Sequence, residues 1–352
     1  MKRPVANILT IFLLTAATII FEISLSRLFS YLLSFHFVLI IIAFSILGLG
    51  IGQISYAKFY KRMDNTLVFW AAMPAVSMFL SFFLLLVLSK IGISSYTDFA
   101  LPVFIILSMV PFIAIGIVYA FIFEKNKRHA STFYAIDLIG AAGGALVSVF
   151  LLNTFSLVYV VAIVIGLLLL VWAINALANT NRYSRALALL SVAIIILMGL
   201  GKDALDIDIP VSKDPSKDMY RLMNNPALQS EKLESRWSAF GKTDLVQFTY
   251  PDSTELAKDN IKIRKALSGF PAVFAMNFVN ENDKDSVLII GPGGGIDIAA
   301  AYFSGYSYVD AVEVNPSFVR LMEKYNPATF LEKENIKVVV NEGRNFVIQN
   351  KG

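Results

Sequence analysis

Long apolar runs separated by short charged loops dominate the first 200 residues. A helix needs about 20 mostly apolar residues to cross a bilayer. Seven candidate runs cover 5–33, 37–57, 67–88, 101–123, 133–152, 157–178 and 186–200. The seventh is the shortest and would extend only about 22 Å as a helix, against a hydrocarbon core of about 30 Å. The pattern therefore predicts a multi-pass α-helical membrane domain over residues 1–201, with six or seven transmembrane helices.

Charged residues become dense after Lys202, which marks a second part of the chain. Residues 243–250 alternate between apolar and polar side chains, as a half-buried strand does. Just before them, residues 237–241 predict a turn anchored by Trp237 and Phe240, for which core packing is the commoner role and lining a pocket the alternative. We interpret 202–285 as a small β-rich linker module.

From Ser286 onward, short apolar runs alternate with helical patterns. Strands are predicted at 286–290, 307–314 and 336–340, with helices at 296–304 and 316–325 between them. This alternation predicts a parallel sheet, whose ligands bind at the carboxyl ends of the strands. Residues 286–352 therefore predict the N-terminal half of an α/β Rossmann-like, nucleoside-binding domain. Three loops should meet at its binding edge, at 291–295, 313–315 and 341–344.

Composition agrees with a membrane protein and narrows its chemistry. The chain is 57% hydrophobic and only 16% charged, and it contains no cysteine and two histidines. Disulfides and cysteine-based sites are excluded, and no metal site is expected. The net charge of +4 comes from basic residues in short loops rather than from one patch. That distribution argues against nucleic-acid binding.

Loop charges predict an orientation. Basic residues occur at the N-terminus and in every second loop, at Lys2, Arg3, Lys58, Lys61, Arg62, Lys125, Lys127, Arg128, Arg182 and Arg185. The positive-inside rule then places the N-terminus in the cytoplasm. The side that holds the α/β domain depends on the seventh segment: outside if it crosses, inside if it lies in the interface.

Three ionisable residues lie within the predicted spans: Glu22, Arg27 and Asp137. Charges at this depth cost at least about 2.5 kcal/mol, so they face partners or a cavity. One interpretation is a substrate or ion path. The other is a structural ion pair between Asp137 and Arg27, with Glu22 close enough to a helix end to reach water. The scarcity of further polar residues favours the second.

Two small-residue patterns predict close helix crossings. Gly48 and Gly52 are four residues apart, as are Gly140 and Gly144. Glycines at this spacing let the backbones of two membrane helices approach each other. Packing explains both pairs.

The glycine cluster after the strand at 286–290 predicts a ligand site. Gly291, Gly293, Gly294 and Gly295 leave the backbone bare where a helix begins, so amide groups can face a ligand. Ile296 stands where a dinucleotide fingerprint has its last glycine, and no Lys-Ser/Thr pair follows. Dinucleotides and a P-loop are therefore disfavoured. A ligand with a ribose and no phosphate fits better, such as an adenosylmethionine compound.

Two acidic residues extend this site. Glu313 ends the second predicted strand, where an acid accepts hydrogen bonds from ribose hydroxyls. Glu342 follows the third strand, where it would contact an adenine ring. The alternative for Glu342 is a solvated turn.

At these residues the sequence resembles a known family. The segments 287–295, 311–316 and 341–346 together resemble the spermidine synthases, and 21–27 and 134–143 resemble the membrane part of bacterial membrane-anchored spermidine synthase-like proteins. The resemblance implies that Gly291, Gly293 and Gly295 surround the methionine part of decarboxylated S-adenosylmethionine or S-adenosylmethionine. It also implies a bacterial inner (plasma) membrane location.

Two departures from that family matter. The soluble members carry a Tyr-Gln pair and a Leu-Asp-Gly turn in their β domain, and neither occurs in 202–285, which leaves the amine substrate open. Their catalytic aspartate follows the fourth strand, whereas this sequence reaches Gly352 after the third. We therefore expect a C-terminally truncated chain that lacks the catalytic base, and no catalytic residue is assigned.

The leading functional interpretation is a membrane-bound aminopropyltransferase in polyamine biosynthesis, inactive without its missing part. The alternatives are an S-adenosylmethionine-dependent methyltransferase, and a membrane carrier or sensor that binds a nucleoside without catalysis. The expected partners are the lipid bilayer and a small-molecule amine or other acceptor. The sequence predicts no oligomeric state.

Overall fold

The computed structural model describes most of the chain as two compact units, Met1–Asn224 and Asn225–Gly352. The described residues are 3–33, 35–60, 67–91, 100–178, 182–201, 203–209, 211–212, 217–225, 229–249, 276, 278–325 and 333–350. The prediction of separate modules at 202–285 and 286–352 stays a prediction, because residues 251–275 lie outside this description.

The first unit is built from helices at all seven apolar runs. They are α1 (Arg3–Leu32), α2 (Phe35–Ser55), α3 (Leu67–Ile91), α4 (Ala100–Lys125), α5 (Ala130–Thr154), α6 (Leu157–Leu177) and α7 (Arg182–Leu200). A π-helical turn, Tyr56–Tyr60, follows α2, and a short helix α8 spans Asp218–Met223. By length and composition, seven helices among the described residues could cross a membrane.

The seventh helix is longer than its sequence predicts. Its 19 residues begin at Arg182 and extend roughly 28 Å, close to the thickness of a hydrocarbon core. A prediction from the apolar run alone misses the first turn of the helix, because Arg182, Tyr183 and Arg185 are polar although they are compatible with a helix. The helix also runs antiparallel beside α6: Ala188 packs on Ala173 and Ala176, and Ile195 lies by Gly166.

The interior of this unit lies around α1 and α6. Helix α1 packs on α5 and α6, α2 packs on α4, and α3 contacts both α4 and α6. The outward faces remain strongly apolar, with Leu146 77% and Leu200 80% exposed. An apolar exterior of this extent is unusual for a protein in water and is what a lipid-facing surface requires.

The glycine pairs bring helices into direct backbone contact, as predicted. A Cβ atom at Gly52 would lie 2.1 Å from the carbonyl oxygen of Ile113 on α4. A Cβ atom at Gly144 would lie 2.7 Å from the carbonyl oxygen of Ala16 on α1. Only glycine permits such approaches, so these residues set the distances between α2 and α4 and between α1 and α5.

The second unit begins with an antiparallel hairpin. Strands β1 (Gln229–Ser238) and β2 (Gly241–Thr249) are joined by a two-residue turn. Strand β2 was predicted, whereas β1 was not. Trp237 belongs to β1 rather than to the turn, and Phe240 in the turn is half-exposed. The expectation that Phe240 packs in a core is therefore wrong.

A three-stranded parallel sheet follows the hairpin. Its strands β3 (Ser286–Ile290), β4 (Tyr308–Glu313) and β5 (Ile336–Val340) lie in that order, with β4 in the centre. Helices α9 (Ile296–Phe303), α10 (Pro316–Tyr325) and α11 (Gly343–Gln349) follow the three strands. This arrangement is compatible with a Rossmann-like fold. The helix α11 was not predicted.

The core of this unit forms between the sheet and α9. Its buried members include Ile289, Ile298, Ala301, Val309 and Ala311. The predicted bounds of β3, α10 and β5 are confirmed, because each is a compact apolar run or an amphipathic helix with clear ends. The fold therefore places the carboxyl ends of three strands at one edge.

The hairpin contacts α10 through Glu234. Its carboxylate accepts hydrogen bonds from Lys324 Nζ, the Tyr325 hydroxyl and Arg236 Nε, each at 2.7 Å. These donors lower the pKa of Glu234 from 4.5 to about 2, and Lys324 has the largest effect. The pKa of Lys324 is raised by the same contact.

This contact predicts an acid-sensitive hairpin. In the unfolded chain the carboxylate of Glu234 becomes protonated near pH 4.5, whereas in the folded chain it does so only near pH 2. The contribution of Glu234 to stability is therefore complete above about pH 4.5 and is lost as the pH falls towards 2. We expect Glu234→Gln to flatten this dependence. Urea denaturation at stepped pH measures it in a Trp70→Phe, Trp172→Phe background, where the emission comes from Trp237 alone.

The matched control is Glu231→Gln, which changes an exposed carboxylate on the same strand. It should keep the acid dependence of the parent chain. Equal pH profiles for the two variants would contradict the assignment of the acid sensitivity to Glu234.

Candidate functional site

The three predicted loops lie together at the carboxyl edge of the sheet. The amide of Gly291 donates to the carbonyl oxygen of Val312 at 2.8 Å, and the amide of Asn341 donates to the carbonyl oxygen of Glu313 at 3.2 Å. Backbone hydrogen bonds thus connect the carboxyl end of β4 to the loops after β3 and β5. The expectation that these loops meet is confirmed, while the ligand roles of their residues stay predictions.

The glycine loop owes its shape to left-handed backbone conformations. Gly291, Gly293 and Gly295 have φ values of 75°, 53° and 91°, which other residues rarely adopt. No atom lies within 4 Å of a Cβ built on Gly291, Gly293 or Gly294. The loop therefore borders open space, and its glycines serve backbone conformation rather than tight packing. Gly295 caps the start of α9, where amide groups are available to a ligand.

Glu313 is held in place by two backbone amides. Its side chain is only 5% exposed. One carboxylate oxygen accepts from the amide of Gly293 at 3.1 Å, and the other accepts from the amide of Asn315 at 2.8 Å. An ionised carboxylate offers about four acceptor positions, so each oxygen keeps one for a ligand. The residue predicted to bind ribose is thus already oriented and directly bonded to the glycine loop.

Asn315 is a member of this site that sequence reasoning missed. Besides its amide bond to Glu313, its side-chain oxygen accepts from the amide of Ser317 at 3.0 Å. Its side-chain amide donates to the hydroxyl of Thr243 on β2 at 3.2 Å. The Asn-Pro pair at 315–316 signals a helix start, whereas its contact with Thr243 spans 72 positions and leaves no local signal.

Glu342 caps α11 at the third loop. Its carboxylate accepts from the amides of Arg344 at 3.1 Å and Asn345 at 2.9 Å. These bonds lower the pKa of Glu342, and the bond from the amide of Asn345 has the largest effect. The side chain is exposed, so its remaining acceptor positions can reach a ligand. The structure accounts for Glu342 as a helix cap, and contact with adenine stays a prediction.

The predicted ion pair between Asp137 and Arg27 is wrong. Asp137 accepts hydrogen bonds from Thr15 at 2.6 Å and from Tyr119 at 3.1 Å, and these two hydroxyls also contact each other. Arg27 lies twelve residues beyond Thr15 on α1, roughly 18 Å along the axis. Its Nε has no hydrogen-bond partner among the described residues.

The glycine contact between α1 and α5 explains the position of Asp137. Gly140 and Gly144 bring α5 against Phe12 and Ala16, so Asp137 faces the same stretch of α1 and meets Thr15. Glu22 is half-buried and lies ten residues before the end of α1. The expectation that Glu22 is close enough to a helix end to reach water stays a prediction. Pairing between helices cannot be read from one sequence, which is why Thr15 and Tyr119 were missed.

Metal ligands do not cluster in the described parts of the chain. No group of three His, Asp or Glu side chains there could hold a metal ion. The acidic groups that the described loops bring to the sheet edge are one buried carboxylate and one capping carboxylate, and both bond to backbone amides. Such groups suit a neutral or cationic ligand with hydroxyl and amine donors.

A comparison with known proteins finds one that is similar over most of the chain. Polyamine aminopropyltransferase 1 of Streptomyces coelicolor is 26% identical to this chain over 347 residues. The likeness supports a spermidine synthase-like relationship. It covers 91% of this chain, and so most of both units, and the chain spans 61% of the Streptomyces protein. No protein-family model and no solved structure matches the chain.

Proposed function

We propose that this protein is a multi-pass membrane protein whose α/β unit binds decarboxylated S-adenosylmethionine for transfer of its aminopropyl group to an amine. The observation that carries the proposal is the bond between the Glu313 carboxylate and the amide of Gly293. This bond fixes a carboxylate beside a glycine loop that borders open space, which supports a role for Glu313 in accepting from ribose hydroxyls. The Streptomyces aminopropyltransferase supports the choice of this nucleoside among adenosyl compounds.

Each residue of the site would bind a different part of the ligand. The carboxylate of Glu313 would accept from the ribose hydroxyls through its two free positions. Gly291, Gly293 and Gly295 would let the chain of the sulfonium compound pass close to the backbone. Glu342, held ionised by its two amide bonds, would accept a hydrogen bond from the adenine amine. These contacts bind and orient the nucleoside.

The chemistry follows from the sulfonium group of the bound nucleoside. The neutral amine attacks the aminopropyl carbon next to sulfur, so a C–N bond forms while the C–S bond breaks. The electron pair of the broken bond returns to sulfur, and methylthioadenosine leaves. One proton is lost from the attacking nitrogen. Holding both reactants in line is the main contribution of such a site.

Calorimetry of the full chain in detergent tests the proposal. We expect decarboxylated S-adenosylmethionine to bind more tightly than S-adenosylmethionine. If neither compound binds, the nucleoside site is disproved. If only S-adenosylmethionine binds, a methyl rather than an aminopropyl donor is indicated, and the proposed transfer is disproved.

Alanine substitutions separate this proposal from a membrane carrier. Asp137→Ala removes the acceptor of Thr15 and Tyr119 in the helical unit, and Glu313→Ala removes the carboxylate at the sheet edge. An enzyme of the proposed kind should keep its nucleoside affinity with the first change and lose it with the second. The reverse result would favour a carrier whose path passes Asp137.

The membrane arrangement belongs to the same proposal. Helix α7 runs antiparallel beside α6 in the bundle, so we infer that it crosses the bilayer as α6 does. Seven crossings place the N-terminus and the α/β unit on opposite sides. Because the nucleoside is made in the cytoplasm, the proposed function requires the α/β unit there and the N-terminus outside. This arrangement is opposite to the one that the loop charges predict.

Single cysteines resolve this directly, because the chain contains none. We expect Lys127→Cys, in the loop after α4, and Asp203→Cys, after α7, to react with a membrane-impermeant maleimide from opposite sides. Reaction from the same side would disprove the crossing of α7. Reaction of Asp203→Cys only from outside would contradict activity on a cytoplasmic nucleoside.

A further inference from the structure

We propose that the helical unit binds one acyl chain of an aminophospholipid in a cavity between α3, α6 and α7. The cavity has a volume of about 480 Å³ and is lined only by apolar residues. They come from α3, from α6 with Ala162 among them, from α7 with Ile194 and Met198, and from the segment beyond α7 with Leu205 and Ile207. This site is independent of the nucleoside site.

The cavity lies beside the contact between α6 and α7. Near the start of α7, the small residues Ala173, Ala176 and Ala188 pack together. Towards the end of α7, Ile194 and Met198 line the cavity together with residues of α3 and α6. The helices therefore enclose a space beside the N-terminal half of α6 that no side chain of the described chain fills.

Hydrocarbon is the occupant that this space favours. An apolar cavity of this kind offers water no hydrogen bonds and stays dry. Its volume is within the range of about 300–1,000 Å³ that holds small ligands. The lining residues of α3, α6 and α7 lie within helices long and apolar enough to cross a membrane. In the membrane arrangement proposed above, on which this inference rests, acyl chains are the surrounding medium.

The segment after α7 indicates the kind of headgroup. Leu205 and Ile207 line the cavity, while Asp203 and Asp206 on the same segment are exposed. The C-terminal end of α7 adds partial negative charge beside them. An ammonium group would be attracted there, whereas the carboxylate of a fatty acid or an anionic lipid would be repelled. The charge pattern therefore favours phosphatidylethanolamine.

Photolabelling of the full chain in vesicles tests this proposal. The probe is phosphatidylethanolamine with a diazirine on one acyl chain, and mass spectrometry locates the label. We expect labelling to concentrate on the cavity residues of α3 and α6. Ala162→Phe, which fills the cavity, should reduce that labelling by about tenfold or more. The matched control Ala145→Phe changes an exposed alanine on α5 and should have no effect.

Two further results decide the proposal. If the exposed face of α5 and the cavity residues were labelled equally, the label would come from the surrounding bilayer. That result would overturn the proposal. If Ala162→Phe does not fold, competition on the parent chain takes its place. Unlabelled phosphatidylethanolamine should reduce labelling more than phosphatidylglycerol does, and Asp206→Asn should narrow that difference. An equal effect of the two lipids would overturn the headgroup assignment.

Discussion

Replacing Glu313 with glutamine is expected to weaken the binding of decarboxylated S-adenosylmethionine by about 100-fold. The carboxylate accepts from two backbone amides, Gly293 on one oxygen and Asn315 on the other. Glutamine has one acceptor and one donor at these positions. Its amide group would therefore face a backbone N–H and turn one attraction into a repulsion.

The same change also removes the charge that strengthens hydrogen bonds to the ribose. Hydrogen bonds to a charged group contribute about 1.5–3 kcal/mol each, against about 1 kcal/mol for neutral pairs. Two such bonds and one misplaced amide account for the expected loss. Glu313→Asp keeps the charge but cannot reach both amides, so an intermediate affinity is expected.

Calorimetry measures the effect, with Asp310→Asn as the control. Asp310 is an exposed carboxylate on the same strand. The Asp310→Asn variant should therefore bind the nucleoside as the parent chain does. Circular dichroism separates lost affinity from lost folding. Unchanged affinity in a folded Glu313→Gln variant would remove Glu313 from the binding site.

Replacing Gly52 with alanine is expected to destabilise the helical unit by about 3 kcal/mol. The added methyl group would lie 2.1 Å from the carbonyl oxygen of Ile113, which is backbone and cannot rotate away. Helices α2 and α4 would have to separate and lose contacts along their interface. Gly116→Ala on α4 should act in the same way, because its Cβ atom would lie 2.3 Å from the carbonyl oxygen of Leu49.

Gly50→Ala on the same helix is the matched control. Nothing lies within 4 Å of a Cβ atom built there, so the change should leave stability unaltered or raise it by up to about 1 kcal/mol. Unfolding in a denaturing detergent, followed by circular dichroism, measures all three variants. Equal stabilities for Gly50→Ala and Gly52→Ala would contradict a backbone contact between α2 and α4.

The sequence predicts well those elements whose signal is local. The ends of the apolar run at 286–290 and of the amphipathic segment at 316–325 are marked by neighbouring residues. The predicted bounds of both elements equal those of the structure. Gly140 and Gly144 likewise predict a close crossing by spacing alone. In each case the residues that define the element are neighbours in the chain.

Features that depend on distant residues were not predictable. Strand β1 is polar at most positions and exists through its pairing with β2, and α7 starts in a polar turn supported by packing on α6. The partner of Asp137 could not be chosen between Arg27 and Thr15 until α5 was positioned on α1. Asn315 gained its role from Thr243, far away in the sequence.

Asn315 also joins two parts of the second unit thermodynamically. Its backbone amide holds Glu313, and its side chain holds Thr243 of the hairpin. We expect a nucleoside that tightens the first bond to favour the second as well, and such an effect is reciprocal because the coupling free energy is shared. The hairpin would then act as a reporter of site occupancy. Slower amide exchange along β2 would accompany ligand binding at Glu313.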